Sequence, residues 1–196
     1  MKTFKMNSIE NWCNLMIVLV ILGLGSCETK KETSDQEESK NQAPSMTIHE
    51  ATFMGNLAAV QAHIAAKSDL NEKDAYGSAP LTVAATFGKT EIAKLLIQSG
   101  ADLNVTGGDG STPLHTSAFF CRVEIVKALL EKGADVTIRN NFGSTALESV
   151  SGPFENVKMI YEQFSKNLGP LGLKLDYDYI EKTRPEIAKL ISAQGK

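Results

Sequence analysis

A fixed period runs through the middle of this chain and limits its fold more than any other feature. Gly77, Gly110 and Gly143 are spaced 33 apart, and so are Leu81, Leu114 and Leu147. Gly100 and Gly133 repeat the step, each followed by Ala-Asp, and Asp69, Asp102 and Asp135 carry it upstream. A fixed period in the range of roughly 20–50 residues marks a stack of like units. One such unit cannot bury its apolar face alone, so neighbours must cover each other.

Two units read almost in full: Tyr76 to Asn104 (YGSAPLTVAATFGKTEIAKLLIQSGADLN) and Asp109 to Thr137 (DGSTPLHTSAFFCRVEIVKALLEKGADVT). Each residue type has a physical use. Thr112-Pro113 opens a first helix, because Thr caps orphan N–H groups and Pro lacks an N–H where none is needed. Leu114, Ala118, Ile125, Val126, Leu129 and Leu130 fall at helical spacing and are expected to form the seam between helices. Ala84, Ala85, Ser117 and Ala118 are small enough for helix pairs to approach closely. Gly100 and Gly133 stand where a second helix must end in a left-handed residue.

Segments such as STPLHTSA within this period resemble the ankyrin repeat, whose mark is a T-P-L-H-x-A-like run recurring at this same step. The resemblance implies an all-α fold, an ankyrin-repeat solenoid of four to five helix–turn–helix repeats with β-turn fingers. The repeats are expected at about 47–74, 75–107, 108–140 and 141–167, with an irregular one at 168–196. The first keeps the register without the glycine turn or the Pro and looks like a capping repeat. The fourth departs at Ser151-Gly152-Pro153, and its second helix is expected from about Glu155 to Lys166, with Val157, Ile160, Tyr161 and Phe164 on one face. Arg184-Pro185-Glu186-Ile187-Ala188-Lys189-Leu190-Ile191 compares with Glu91-Ile92-Ala93-Lys94-Leu95-Leu96. It reads as the second helix of a fifth repeat, with Pro185 in its first turn.

The N-terminus carries a different message. Lys2 and Lys5 precede Leu15 to Leu24 (LMIVLVILGL), an apolar run too short to span a bilayer, which needs about 20 residues. It has the length of an export-signal core; a short membrane anchor or a buried strand are the alternatives. Leu24-Gly25-Ser26-Cys27 resembles the lipobox of bacterial lipoproteins. That resemblance implies removal of residues 1–26 and acylation of Cys27, hence a domain lipid-anchored to the inner or outer membrane of the cell envelope, in the periplasm. Two or three acyl chains would hold stably where one holds marginally. Residues 27–44 then form a polar tether. Glu28 to Pro44 holds no large apolar residue, so it cannot offset its chain entropy by burial. Flexible, it would reach about 20–25 Å.

Little in the sequence suggests catalysis. His49, His63 and His115 lack metal-ligand spacing, and neither a nucleophile elbow nor a phosphate-cradling loop is evident. His115 holds the T-P-L-H position, which in the family bonds neighbouring loop backbone. Cys121 replaces the glycine that ends the first helix of the repeat before it (Gly88) and reads as an inert thiol, with redox contact to a partner as the sharper alternative. Lys and Arg total 20 against 23 Asp and Glu, so no basic stripe invites nucleic acid. No enzyme activity, metal or cofactor is expected, and the domain is expected to be monomeric.

Ankyrin arrays hold partners with finger tips and the exposed end of each first helix. Carried over position by position, the resemblance assigns Ala75, Tyr76, Ser78, Thr86 and Phe87 in the second repeat. In the third it assigns Gly108, Asp109, Ser111, Phe119 and Phe120, and in the fourth Asn141, Phe142 and Ser144. The aromatics fall where the framework does not require them, as interface hot spots do; the alternative is that one or two pack inward. The expected function is a membrane-tethered module binding another protein. The alternatives are an immunity or protective accessory protein, for a toxin or a periplasmic oxidant-defence enzyme.

Overall fold

A computed structural model describes residues 45–194. The expected signal segment, Cys27 and the whole tether lie outside the described residues. Helices α1 (Ile48–Met54), α2 (Leu57–Ala65), α3 (Pro80–Phe87), α4 (Thr90–Gln98), α5 (Pro113–Phe119) and α6 (Val123–Glu131) form three consecutive pairs. After them come α7 (Ala146–Ser151), α8 (Lys158–Leu168) and α9 (Tyr177–Ser192), with 3-10 turns at Phe154–Asn156 and Gly169–Leu171 flanking α8. Among the described residues there is no strand, and the architecture is the all-α ankyrin solenoid.

Helices of 7 to 9 residues are marginal alone, because nucleation costs more than so few hydrogen bonds return. Stacking supplies the difference. The first helices of each pair form one row, α1–α3–α5–α7, and the second helices a row behind it. Leu81, Leu96, Leu114, Ile125 and Leu129 lie wholly buried between the rows. Ala84, Ala85 and Ala118 are equally buried, and any larger side chain there would force the layers apart.

Capping fixes where helices start. Thr47, Thr112 and Thr145 each accept the N–H three residues on, and Glu50, His115 and Glu148 return a bond to the cap backbone. The first helices end in left-handed residues at Gly55, Gly88 and Cys121, with φ 79°, 64° and 53°. The second helices are followed by Lys67, Gly100 and Gly133, with φ 57°, 88° and 82°. Both sets are spaced by the period. Lys67 and Cys121 therefore carry side chains in a conformation that suits glycine.

The fingers repeat as faithfully. In each, the N–H of Asp74, Gly107 or Asn140 donates to the carbonyl of Ser78, Ser111 or Ser144, and Gly77, Gly110 or Gly143 closes the turn. Asn71 and Asn104 link successive repeats, their side-chain oxygens accepting the N–H of Asp102 and Asp135 at 2.8 and 2.9 Å.

The C-terminal third corrects the sequence reading. The expected second helix from Glu155 to Lys166 begins instead as a 3-10 turn and continues as α8. It does not pack beside α7 as a second helix should. That place belongs to α9, which lies along α7 and against α6. So Ile187 to Ile191 belong to the fourth repeat, not a fifth, and Pro185 lies inside α9 rather than in its first turn. Glu186 stands nearly two periods beyond Glu124, where an unbroken fourth repeat would place it one period beyond. An insertion containing α8 thus splits the fourth repeat.

The cause is local. Pro153 forces Gly152 into extended backbone (ψ 164°) and stops α7 after its sixth residue. Its orphan carbonyls are met by Arg184, only 2% exposed. The guanidinium donates to the Ser149 and Gly152 carbonyls, both at 3.2 Å. A cation suits the negative end of a helix.

Candidate functional site

The residues expected to meet a partner fall into three groups. The first builds the fingers. Asp109 accepts the N–H and hydroxyl of Ser111 at 2.9 and 2.8 Å, and its carbonyl accepts the N–H of Asn141 at 2.9 Å. Asn141 also donates to the Gly108 carbonyl at 3.2 Å, tying one finger to the next. Tyr76 and Ser78 donate their N–H groups to Asp74 at 2.9 and 2.8 Å. Ser144 donates its N–H to Asn140 at 3.1 Å. Finger shape is therefore held by short side chains bonding their own backbone.

Two histidines anchor fingers to the helices behind them. His115 Nε2 donates to the Ser144 carbonyl at 3.0 Å, while Nδ1 accepts the Thr112 N–H at 3.3 Å. That pattern needs a neutral ring with its proton on Nε2. Burial holds its pKa below the ordinary value, against the opposing pull of the Ser144 bond and Asp109. His49 makes the same bond to the Ser78 carbonyl at 3.1 Å. Sequence reasoning gave His49 no role, although it stands two periods upstream of His115. In the repeat between them the position is Thr82, whose buried hydroxyl has no partner.

The second group lies at the ends of the first helices, and here the expected aromatic patch is corrected. Phe87 is half-buried, edge-on to Phe53 at 4.8 Å between centroids. Thr86 donates its hydroxyl to the Thr82 carbonyl at 3.0 Å, and its own carbonyl accepts Arg122 at 3.0 Å. Phe119 stacks on Tyr161 of α8 at 4.4 Å. Phe120 is 4% exposed, packed with Leu168 and Leu173 and edge-on to Phe164 at 5.2 Å. Arg122 lies over its ring at 5.9 Å. The insertion thus covers Phe119 and Phe120. Tyr161 completes the cover, donating its hydroxyl to the Phe119 carbonyl at 2.7 Å and accepting from Arg184 at 3.0 Å. Burial pushes the Tyr161 phenol up to about 12, so it stays a donor at neutral pH. Sequence spacing does not reveal Tyr161 against Phe119 or Arg184 against Tyr161, because only packing brings these residues together.

The third group is Phe142 alone, 52% exposed at the tip of the fourth finger. Its N–H donates to Asn140 at 3.1 Å, so the backbone beneath it is fixed while the ring stands in water.

Cys121 is buried, with its sulfur 3.7 Å from the Ile180 carbonyl. Burial pushes its thiol up to about 11 despite Arg184 and Arg122 nearby. It rests protonated and unreactive at neutral pH. Among the described residues, no group of His, Cys, Asp or Glu could hold a metal, and no helix is long and apolar enough to cross a membrane.

Residues 48–140 match the family model of ankyrin repeats, in three copies. Among solved structures, the chain is similar to the ankyrin repeat domain of Bcl-3, described as a unique member of the IkappaB protein family. Identity is 27% and the TM-score 0.51, over 52% of this chain and 45% of that chain. The chain thus spans less than half the length of that relative. No curated protein matches it.

Proposed function

We propose, on the premise that residues 48–140 are ankyrin repeats, that this chain is a lipid-tethered module that binds another protein through its finger tips. Ankyrin arrays are interaction scaffolds, and this array has their framework. The observation that carries the reading further is Phe142. Nothing in the finger needs an aromatic ring at the tip, and leaving one in water forgoes about 2 kcal/mol of burial. A rigid backbone presenting an exposed aromatic is what a hot spot requires, since little entropy remains to be lost on binding. Asn141, exposed beside it in the same finger, is held in place by its bond to the Gly108 carbonyl and offers a fixed polar contact. The tether rests on the sequence alone: the positive start, the apolar run and Leu24-Gly25-Ser26-Cys27. On this reading Cys27 carries the acyl chains, and the array works at a membrane surface of the bacterial envelope.

A crosslinking pull-down from intact envelopes tests both halves. The chain should retain one dominant protein. Phe142→Ala should lose at least about tenfold of it, the effect of roughly 1.4 kcal/mol or more, with thermal stability unchanged. Cys27→Ala should release the array from the membrane fraction. Equal capture by Phe142→Ala would remove the finger tip from the reading, and unchanged membrane association of Cys27→Ala would remove the anchor.

A further inference from the structure

The insertion is more than a spacer. Its helix α8 turns Tyr161, Phe164 and Leu168 toward the array, at positions i, i+3 and i+7. That spacing is how an amphipathic helix seats in a groove. The groove is the ends of α3 and α5: Phe87, Phe119 and Phe120 pack against Phe164, Leu168 and Leu173. Phe120, Leu168 and Leu173 form a small cluster of their own beside the main core, which α8 reaches only through Tyr161.

We propose that α8 is an internal ligand, seated on the array where a partner's amphipathic helix with the same apolar spacing docks by displacing it. The proposal rests on the protein-binding reading above and adds the kind of partner and its control. Three observations support a displaceable helix. The insertion begins at Gly152-Pro153, and Gly169-Pro170 follows α8, with Gly172 left-handed at φ 97°, so both ends can turn. The closed arrangement is imperfect, because the Asn167 side-chain nitrogen and the Arg184 Nε are buried without partners. The outer side of α8 is suited to water, with Glu162 and Lys166 exposed. Opening uncovers Phe119 and Phe120 together, a contiguous aromatic surface that a single half-buried Phe87 does not make.

Native-state hydrogen exchange on the intact chain is the first test. Amides of 158–168 should exchange through a local opening at least about tenfold faster than those of α5 and α6, whose protection follows global unfolding. The second test uses a labelled synthetic peptide of residues 153–172. It should bind a chain carrying Tyr161→Ala and Phe164→Ala at least about tenfold more tightly than the unaltered chain, and adding Phe120→Ser should abolish that binding. Exchange of α8 in step with α6 would overturn the proposal, as would equal peptide binding to both chains. If the double variant does not fold, exchange on the unaltered chain decides alone. Neither measurement uses an outside partner, so an empty pull-down leaves this result standing, and a static α8 leaves the finger-tip reading standing.

Discussion

Lys67 shows how closely single residues follow the repeat. It holds φ 57° where Gly100 and Gly133 hold 88° and 82°, and it is exposed, so its side chain packs against little. Lys67→Gly should therefore stabilise the fold by about 1 kcal/mol, read as a higher urea midpoint at unchanged slope; a lower midpoint would contradict it. His115 makes stability depend on pH. Its folded pKa lies below the unfolded value, so protonation favours the unfolded chain. The contribution is present above about 6.5, the ordinary histidine value, and is lost as pH falls through the lower folded value. His115→Gln should flatten the fall in stability between about pH 7 and 5. An identical pH profile in the variant would place the effect elsewhere. His115 was legible because its motif is local. His49 was legible too, through its register, but lacked the surrounding Thr-Pro-Leu that draws attention to it.

At the scale of elements, legibility followed the period and failed where the period broke. Helices α3 to α6 sit where Thr112-Pro113, Gly88, Gly100 and Gly133 indicate. The run ending at Ile191 reads correctly as a second helix, but the repeat it completes is the fourth, not a fifth. Which first helix it joins depends on α7 ending at Pro153 and on Arg184 reaching the Ser149 and Gly152 carbonyls, contacts between segments far apart in the chain. The aromatic pair failed for the same reason: Phe119 and Phe120 look exposed until α8 is laid on them. Tyr161 joins these pieces, bonded to Phe119 on one side and Arg184 on the other. Tyr161→Phe leaves a buried carbonyl without its donor and a buried guanidinium nitrogen without its acceptor, and should cost about 2 kcal/mol. Urea unfolding checks this, and a variant as stable as the native chain would remove the hydroxyl's role.

The whole molecule is a stack whose stability is roughly a sum over neighbours, so its ends need special treatment. The N-terminal end is closed by a repeat that keeps its caps at Thr47 and Asn56. The C-terminal end is closed by α9, nearly twice the length of the other second helices. Between them the fingers form one continuous row, and Phe142 is its most exposed aromatic. Lys127 sits on the opposite side, on a second helix and paired with Glu124 at 3.1 Å. The most direct measurement places a photo-activated crosslinking residue at position 142 or at position 127 of the full chain in intact envelopes. A single protein crosslinked from position 142 and not from 127 is the predicted result. Crosslinks from 127 alone, or the same proteins from both, would contradict binding through the finger side.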